Sequence, residues 1–190
     1  MIFQEQIFTK EECEIIIGYS NLENNIPTFN FNNISSVKYE NNRIEFPNLA
    51  SYNVYNIENT PNTEWMFNRI LFWFEKNSGI KLNPKMKHTG CTLHKYIKGD
   101  KFSKHIDLTT GFENRRYNLG IQLNDNYDGG EYICWDDNQN EIRILKETGN
   151  AIFYHSRIEH EIKEITKGER WSIVMPIINL EIIQNKKSLL

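Results

Sequence analysis

The sequence lacks what a disulfide-stapled, membrane-spanning or polyanion-binding protein needs. Its three cysteines, Cys13, Cys91 and Cys134, are an odd number without Cys-x-x-Cys spacing, which argues against a disulfide framework and a zinc knuckle. Buried free thiols are expected instead. No apolar run approaches the ~18 residues of a membrane span, and the start, Met1-Ile-Phe-Gln-Glu-Gln, has no basic segment leading into an apolar one. The chain is therefore expected to be cytoplasmic, with no membrane partner. Basic clusters are also missing apart from Lys186-Lys187, and the formal net charge is −3, so nucleic acid is a disfavoured partner.

What is present suits one well-packed domain spanning residues 1–190, with 39% hydrophobic and 13% aromatic residues. Thr9-Lys10-Glu11-Glu12 has the form of a capping box, and Cys13, Ile16 and Ile17 give the helix that follows an apolar stripe. A second helix is expected to open at Thr60-Pro61 and to stop near Gly79, with its dense aromatics serving the core. Between the two, residues 21–60 read as loops and a hairpin, including Ser36-Val-Lys-Tyr and Arg43-Ile-Glu-Phe. From about Thr89 short strands alternate with turn signals such as Asp128-Gly129-Gly130 and Lys167-Gly168. Helices first and strands afterwards indicate an α+β, mostly β fold, with residues 1–88 supporting a barrel formed by residues 89–180.

Within that barrel, Tyr117, Leu119, Ile121 and Leu123 share one face of a strand, and Asn118, Gly120, Gln122 and Asn124 share the other. The apolar face is expected against the helices and the polar face inside, which suits a barrel with a polar site. His105-Ile106-Asp107 sets an imidazole and a carboxylate on one face of an extended segment, and His160 is a candidate third ligand. Two histidines and one carboxylate form the facial triad that binds iron(II) and leaves positions open for a co-substrate and dioxygen. Arg170 and Ser172 share a face of the last strand, where a guanidinium and a hydroxyl can hold a carboxylate together.

From Tyr96 to Pro176 the sequence resembles the prolyl 4-hydroxylase-like branch of the 2-oxoglutarate/iron(II)-dependent dioxygenase superfamily. The resemblance rests on Tyr96-x-x-Gly99-x-x-Phe102-x-x-His105-x-Asp107, Gly129-Gly130-Glu131, Gly149-Asn-Ala-Ile-Phe153, His160 and Gly168-Glu-Arg170. It implies a double-stranded β-helix (a jelly-roll or cupin-like barrel), Fe(II), 2-oxoglutarate and O2, with ascorbate as a further addition. It makes His105, Asp107 and His160 the metal ligands, and Arg170, Tyr96, Ser172 and Gln122 the co-substrate contacts, Gln122 standing where many relatives have tyrosine. His155 competes with His160, but the ten-residue step from His160 to Arg170 matches the family. Asp107 fills the place that halogenases of the superfamily leave for halide, so hydroxylation is favoured.

The resemblance implies a peptidyl proline as substrate, with a free amino acid or other small molecule as the alternative. The region 21–60, with Tyr39, Phe46, Tyr52 and Tyr55, is expected to supply a lid. Nucleic-acid demethylation is opposed by the acidic balance and by Pro176, six residues after Arg170, where that branch has a second arginine. A non-catalytic metal-binding barrel would have no reason to keep three ligands and Arg170. Among the remaining polar residues, His88 is expected in solvent; Arg115 and Arg116 are expected as solvated surface charges, with one of them reaching over the metal to a substrate carboxylate as the alternative; His94 is expected to have a structural role, with lining the pocket beside Tyr96 as the alternative.

Overall fold

The computed structural model describes residues 2–21, 38–108 and 114–180. The first helix, α1 (Lys10–Gly18), begins as expected: Glu12 N–H donates to Thr9 Oγ1 at 3.3 Å and Thr9 N–H to Glu12 Oε2 at 2.9 Å. Cys13 and Ile16 are buried. The second helix, α2 (Glu64–Ser78), starts later than the proline suggests. The Thr63 hydroxyl donates to Glu58 O at 2.5 Å and accepts from Thr60 N–H at 2.8 Å, which closes residues 60–63 as a turn before the helix. Gly79 ends α2 in the left-handed region at φ 71°, a conformation that suits glycine. Met66, Phe67, Ile70, Trp73 and Phe74 are buried, each contributing roughly 1.5–3 kcal/mol of apolar transfer. Phe72 departs from the expectation and is exposed.

The strands are β1 (Ile2–Gln6), β2 (Lys38–Glu40), β3 (Arg43–Phe46), β4 (Ala50–Ile57), β5 (Met86–His88), β6 (Cys91–Ile97), β7 (Phe102–His105) and β8 (Arg115–Gln122). They continue as β9 (Asp128–Gly129), β10 (Tyr132–Trp135), β11 (Glu141–Arg143), β12 (Asn150–His155), β13 (His160–Ile162), β14 (Ile165–Lys167) and β15 (Glu169–Asn179). One antiparallel sheet runs in the order β1-β12-β8-β15-β6-β4-β7-β13-β10-β11 and curls into a double-stranded β-helix, with β9 and β14 forming a separate pair. The mostly-β architecture is the expected one. The region expected as loops and a hairpin differs in part. The β2–β3 hairpin is there, but residues 50–57 form a full strand between β6 and β7, and 22–37 lie outside the described residues.

The face assignment of β8 is borne out. Leu119, Ile121 and Leu123 pack with the α2 aromatics in one core cluster, while Asn118, Gly120 and Gln122 line an interior cavity. Asn124 closes the strand end instead, accepting from Trp171 N–H at 2.7 Å and donating to Glu169 O at 2.7 Å. All three cysteines are buried and free, as expected. His88 is not in solvent: it pairs with Ile177 across β5–β15, and its ring lies 5.5 Å from Phe67.

Gly149 fastens the N-terminal segment to this sheet. It holds φ at 85°, its carbonyl accepts from Ile7 N–H at 3.0 Å, and a Cβ there would meet Phe8 O at 1.9 Å. Gly149→Ala is therefore expected to destabilise the protein by more than ~2 kcal/mol. Gly18→Ala, in open space at the end of α1, should be neutral or stabilise by up to ~1 kcal/mol. Urea unfolding of the two variants checks the contrast, and equal midpoints would contradict it.

Candidate metal centre and adjoining pocket

His105 ends β7, Asp107 lies two residues beyond it, and His160 opens β13. Because β7 and β13 are paired with His105 opposite His160, both imidazoles face the same interior point as Asp107. His105 Nε2 is 3.6 Å from Asp107 Oδ1, His160 Nε2 is 3.4 Å from Asp107 Oδ2, and one ligand atom from each residue falls within 4.8 Å of the others. His105 Nδ1 sits 2.8 Å from Ser103 O and His160 Nδ1 3.0 Å from Ile158 O. A carbonyl only accepts, so each Nδ1 carries the proton and each Nε2 turns a lone pair toward the centre. His105 Nε2 is buried with no hydrogen-bond partner. A metal ion satisfies such an atom, and the set of two imidazoles and one carboxylate fits iron(II).

Two effects keep the donors in their metal-binding forms. Burial pushes the His160 imidazole down to about 4, outweighing the attraction of Asp107, so it is neutral near pH 7. Burial alone would raise Asp107, but the Arg115 guanidinium beside it holds it well below the usual carboxylate range. Phe102 stacks on His105 at 3.8 Å and 7°, fixing the plane of that ring.

The three residues open on a cavity of about 190 Å³, many times the roughly 10–15 Å³ that one water needs. Arg170, Ser172, Tyr96 and Gln122 also line it. Arg170 is 2% exposed, and its Nη1 donates to Ser172 Oγ at 2.8 Å. Its guanidinium lies 5.3 Å from the Tyr96 ring and 5.8 Å from that of Tyr132. Its Nε has no partner, and among the described residues no carboxylate pairs with it. A buried cation without an anion is costly, so this end of the cavity is complementary to an anionic group.

Residues 91–176 match the family model described as the 2OG-Fe(II) oxygenase superfamily. Over this segment the chain is similar to that superfamily. A PKHD-type hydroxylase of Prochlorococcus marinus strain MIT 9215 is 31% identical over 94 residues, 48% of this chain and 42% of the relative, so the chain spans less than half the length of that relative. In fold, the chain is similar to a prolyl hydroxylase from Trichoplax adhaerens solved with a peptide fragment of hypoxia inducible factor. The TM-score is 0.70 at 14% identity, covering 95% of this chain and 84% of that one. A prolyl-4-hydroxylase of Pseudomonas putida superposes with a TM-score of 0.67 at 12% identity, covering 94% and 92%.

Within this barrel, the residues singled out from sequence come together on one cavity, with differences of detail. Gln122 is on the wall, but its amide donates to Asn124 O at 2.6 Å and to the Tyr127 hydroxyl at 2.7 Å, so what it offers the cavity is a carbonyl oxygen. His155 lies elsewhere, its ring 5.5 Å from Tyr117 and its Nδ1 accepting from Arg157 N–H. Arg115, expected in solvent, is turned inward and lies 3.4 Å from Asp107. The hydrogen-bonded pair Tyr132 and Tyr154 also lines the cavity, with the Tyr154 ring 5.0 Å from His160. Alternation along Tyr132-Ile-Cys-Trp and Asn150-Ala-Ile-Phe-Tyr could have marked these faces as inward. Tyr52, expected in a lid, is a buried wall residue of β4 stacked on Tyr96 and His94.

His94 also lines the cavity. Its Nε2 lies 3.0 Å from Thr92 Oγ1, and burial, with Arg170 and Arg115 nearby, pushes it down to about 3. The unfolded chain takes up this proton near pH 6.5 and the folded one does not, so stability present above pH 6.5 is lost as the pH falls toward 3. In the metal-free protein, His94→Gln is expected to flatten the fall in unfolding free energy between pH 6 and 4 by ~1.4 kcal/mol per pH unit. Urea titrations at several pH values measure this. Parallel pH profiles for the two proteins would rule it out.

Proposed function

We propose that the chain is a 2-oxoglutarate- and iron(II)-dependent dioxygenase that hydroxylates an unactivated C–H bond, with a peptidyl proline as substrate. The observation that carries this reading is the shared cavity. Three metal-ligand side chains converge at one point in it, and an unpaired buried guanidinium lies in the same wall. In this reading His105, Asp107 and His160 hold iron. Arg170 binds the far carboxylate of 2-oxoglutarate by charge-assisted hydrogen bonds, with Ser172 beside it and the Tyr96 ring walling the site. Gln122 borders the co-substrate without donating to it. When bound, iron, 2-oxoglutarate and O2 supply the oxidant that replaces C–H by C–OH, with succinate and carbon dioxide as co-products; ascorbate is an optional addition.

The chain's own residues orient and protect that chemistry. Nδ1–H bonds to backbone carbonyls keep both imidazoles from turning away. Ile44, Val54, Ile152 and Ile162 give the cavity apolar walls that limit water near the centre. Proline as the substrate is supported by likeness: a relative is a PKHD-type hydroxylase, and two structural neighbours are prolyl hydroxylases, one of them solved with a peptide.

Under anaerobic conditions, iron(II) with 2-oxoglutarate should give the visible charge-transfer absorbance of a chelated complex. His160→Ala should abolish it and His155→Ala keep it; the reverse pattern would sink the ligand assignment. Arg170→Met should weaken 2-oxoglutarate binding about 100-fold, on the order of 3 kcal/mol, with iron binding unchanged. Succinate formation, screened against proline-containing peptides, free amino acids and nucleosides with mass analysis for an added oxygen, decides the substrate. Stimulation by a free amino acid and by no peptide would replace the peptide reading.

A further inference from the structure

The inward turn of Arg115 has a cause in the backbone. In regular alternation Arg115 would share a face with Tyr117, which packs against Phe74 on the helix side. Instead the β8–β15 register shifts: Tyr117 stands opposite Ile177 and Arg115 opposite Ile178, leaving Arg116 without a partner on β15. This is a β-bulge, and it re-aims Arg115 to the cavity side with Asn118. Arg115 Nε then donates to Asn118 Oδ1, Asn118 Nδ2 donates to Asp107 Oδ2, and Arg115 Nη2 lies 3.4 Å from the same oxygen. The amide is held at both ends, its oxygen by a donor and its nitrogen by an acceptor.

Resting on the metal-site reading above, we propose that the bulge-borne pair Arg115 and Asn118 is a positioning unit for Asp107. It engages Oδ2 and leaves Oδ1 as the single oxygen offered to the ion. A carboxylate free to offer both oxygens would occupy a position that a two-point co-substrate and dioxygen require. Neither residue touches the ion in this scheme; each acts through the carboxylate. The arrangement also assigns the Arg115 charge to the metal centre itself rather than to a substrate carboxylate.

The test uses manganese(II) and cobalt(II), which bind such sites without turnover. Removing a partner that orients a metal ligand typically weakens metal affinity 10–100-fold. Asn118→Ala is expected to raise the manganese(II) dissociation constant by that factor and to alter the visible cobalt(II) spectrum, because the ligating carboxylate is no longer held to one oxygen. Asn118 is buried, so Arg115→Gln, at a half-buried position, provides a second variant. It should weaken manganese(II) binding as well, and the double variant should lose less than the product of the two single losses, because the residues act as one unit. Wild-type affinity within twofold and an unchanged cobalt(II) spectrum in both single variants would overturn the inference while leaving the metal site standing. A wild-type chain that takes up neither ion would overturn both.

Discussion

The pairing of β15 with β6 on one side and β8 on the other is the constraint on which the pocket depends. It sets Arg170 opposite Tyr96, and Ser172 opposite both His94 and Gln122, so that groups distant in sequence stand in adjacent rows on the inner face. The alternate residues Trp171, Ile173 and Met175 go to the helix side, where Ile173 and Met175 are fully buried. A slip of one residue would bring Arg170 into the apolar core under α2 and Ile173 into the cavity. The hydrophobic demand of the outer face thus enforces the polar arrangement of the inner one, and the site inherits its geometry from core packing.

Charge inside the barrel follows a similar economy. Asp107 is matched by Arg115, while the neutral His94 and His160 add nothing near pH 7, which leaves Arg170 as an uncompensated buried cation. A guanidinium keeps its charge under any ordinary condition, so the imbalance cannot be relieved by losing a proton. An anionic ligand would relieve it, and the aromatic faces of Tyr96 and Tyr132 soften its cost in the free protein. The end formed by His105, Asp107 and His160 differs, because its lone pairs are complementary to a cation. A ligand carrying a carboxylate at one end and metal-binding oxygens at the other is complementary to both, which is why 2-oxoglutarate suits the cavity.

How much of this was legible in the sequence depended on whether local periodicity survived folding. The inward row Asn118, Gly120, Gln122 and the adjacency of Arg170 and Ser172 obey the simple period of a strand and could be read directly. Arg115 could not, because the bulge at Arg116 breaks that period, and nothing in Asn114-Arg-Arg-Tyr announces a bulge. Tyr52 escapes a local reading because Ala50–Ile57 is flanked by polar, Asn-rich sequence while its distant strand partners β6 and β7 lie about forty and about fifty residues further on. Helix α2 began late because the Thr63 hydroxyl formed a local turn with Glu58 and Thr60, a competition that the favourable Pro61 does not reveal. Pairing between distant segments is what the sequence patterns do not encode.

The turn before β7, the strand that carries His105, shows how such pairing reaches the candidate site. Asp100 sits between β6 and β7, almost fully buried, and accepts from both terminal nitrogens of Arg43 on β3, from the Ser51 hydroxyl at 2.8 Å on β4 and from Ile97 N–H at 2.9 Å. Four donors from three strands therefore fix the point from which β7 departs, and five residues later that strand delivers His105. Burying a carboxylate and a guanidinium together gains little net stability, but removing either partner strands the other charge. The pair is better understood as a specificity device. It locks the β3–β4 segment, which carries Tyr52 into the cavity wall, to the strand that carries His105, so that the position of the wall and the position of the candidate ligand are tied to each other.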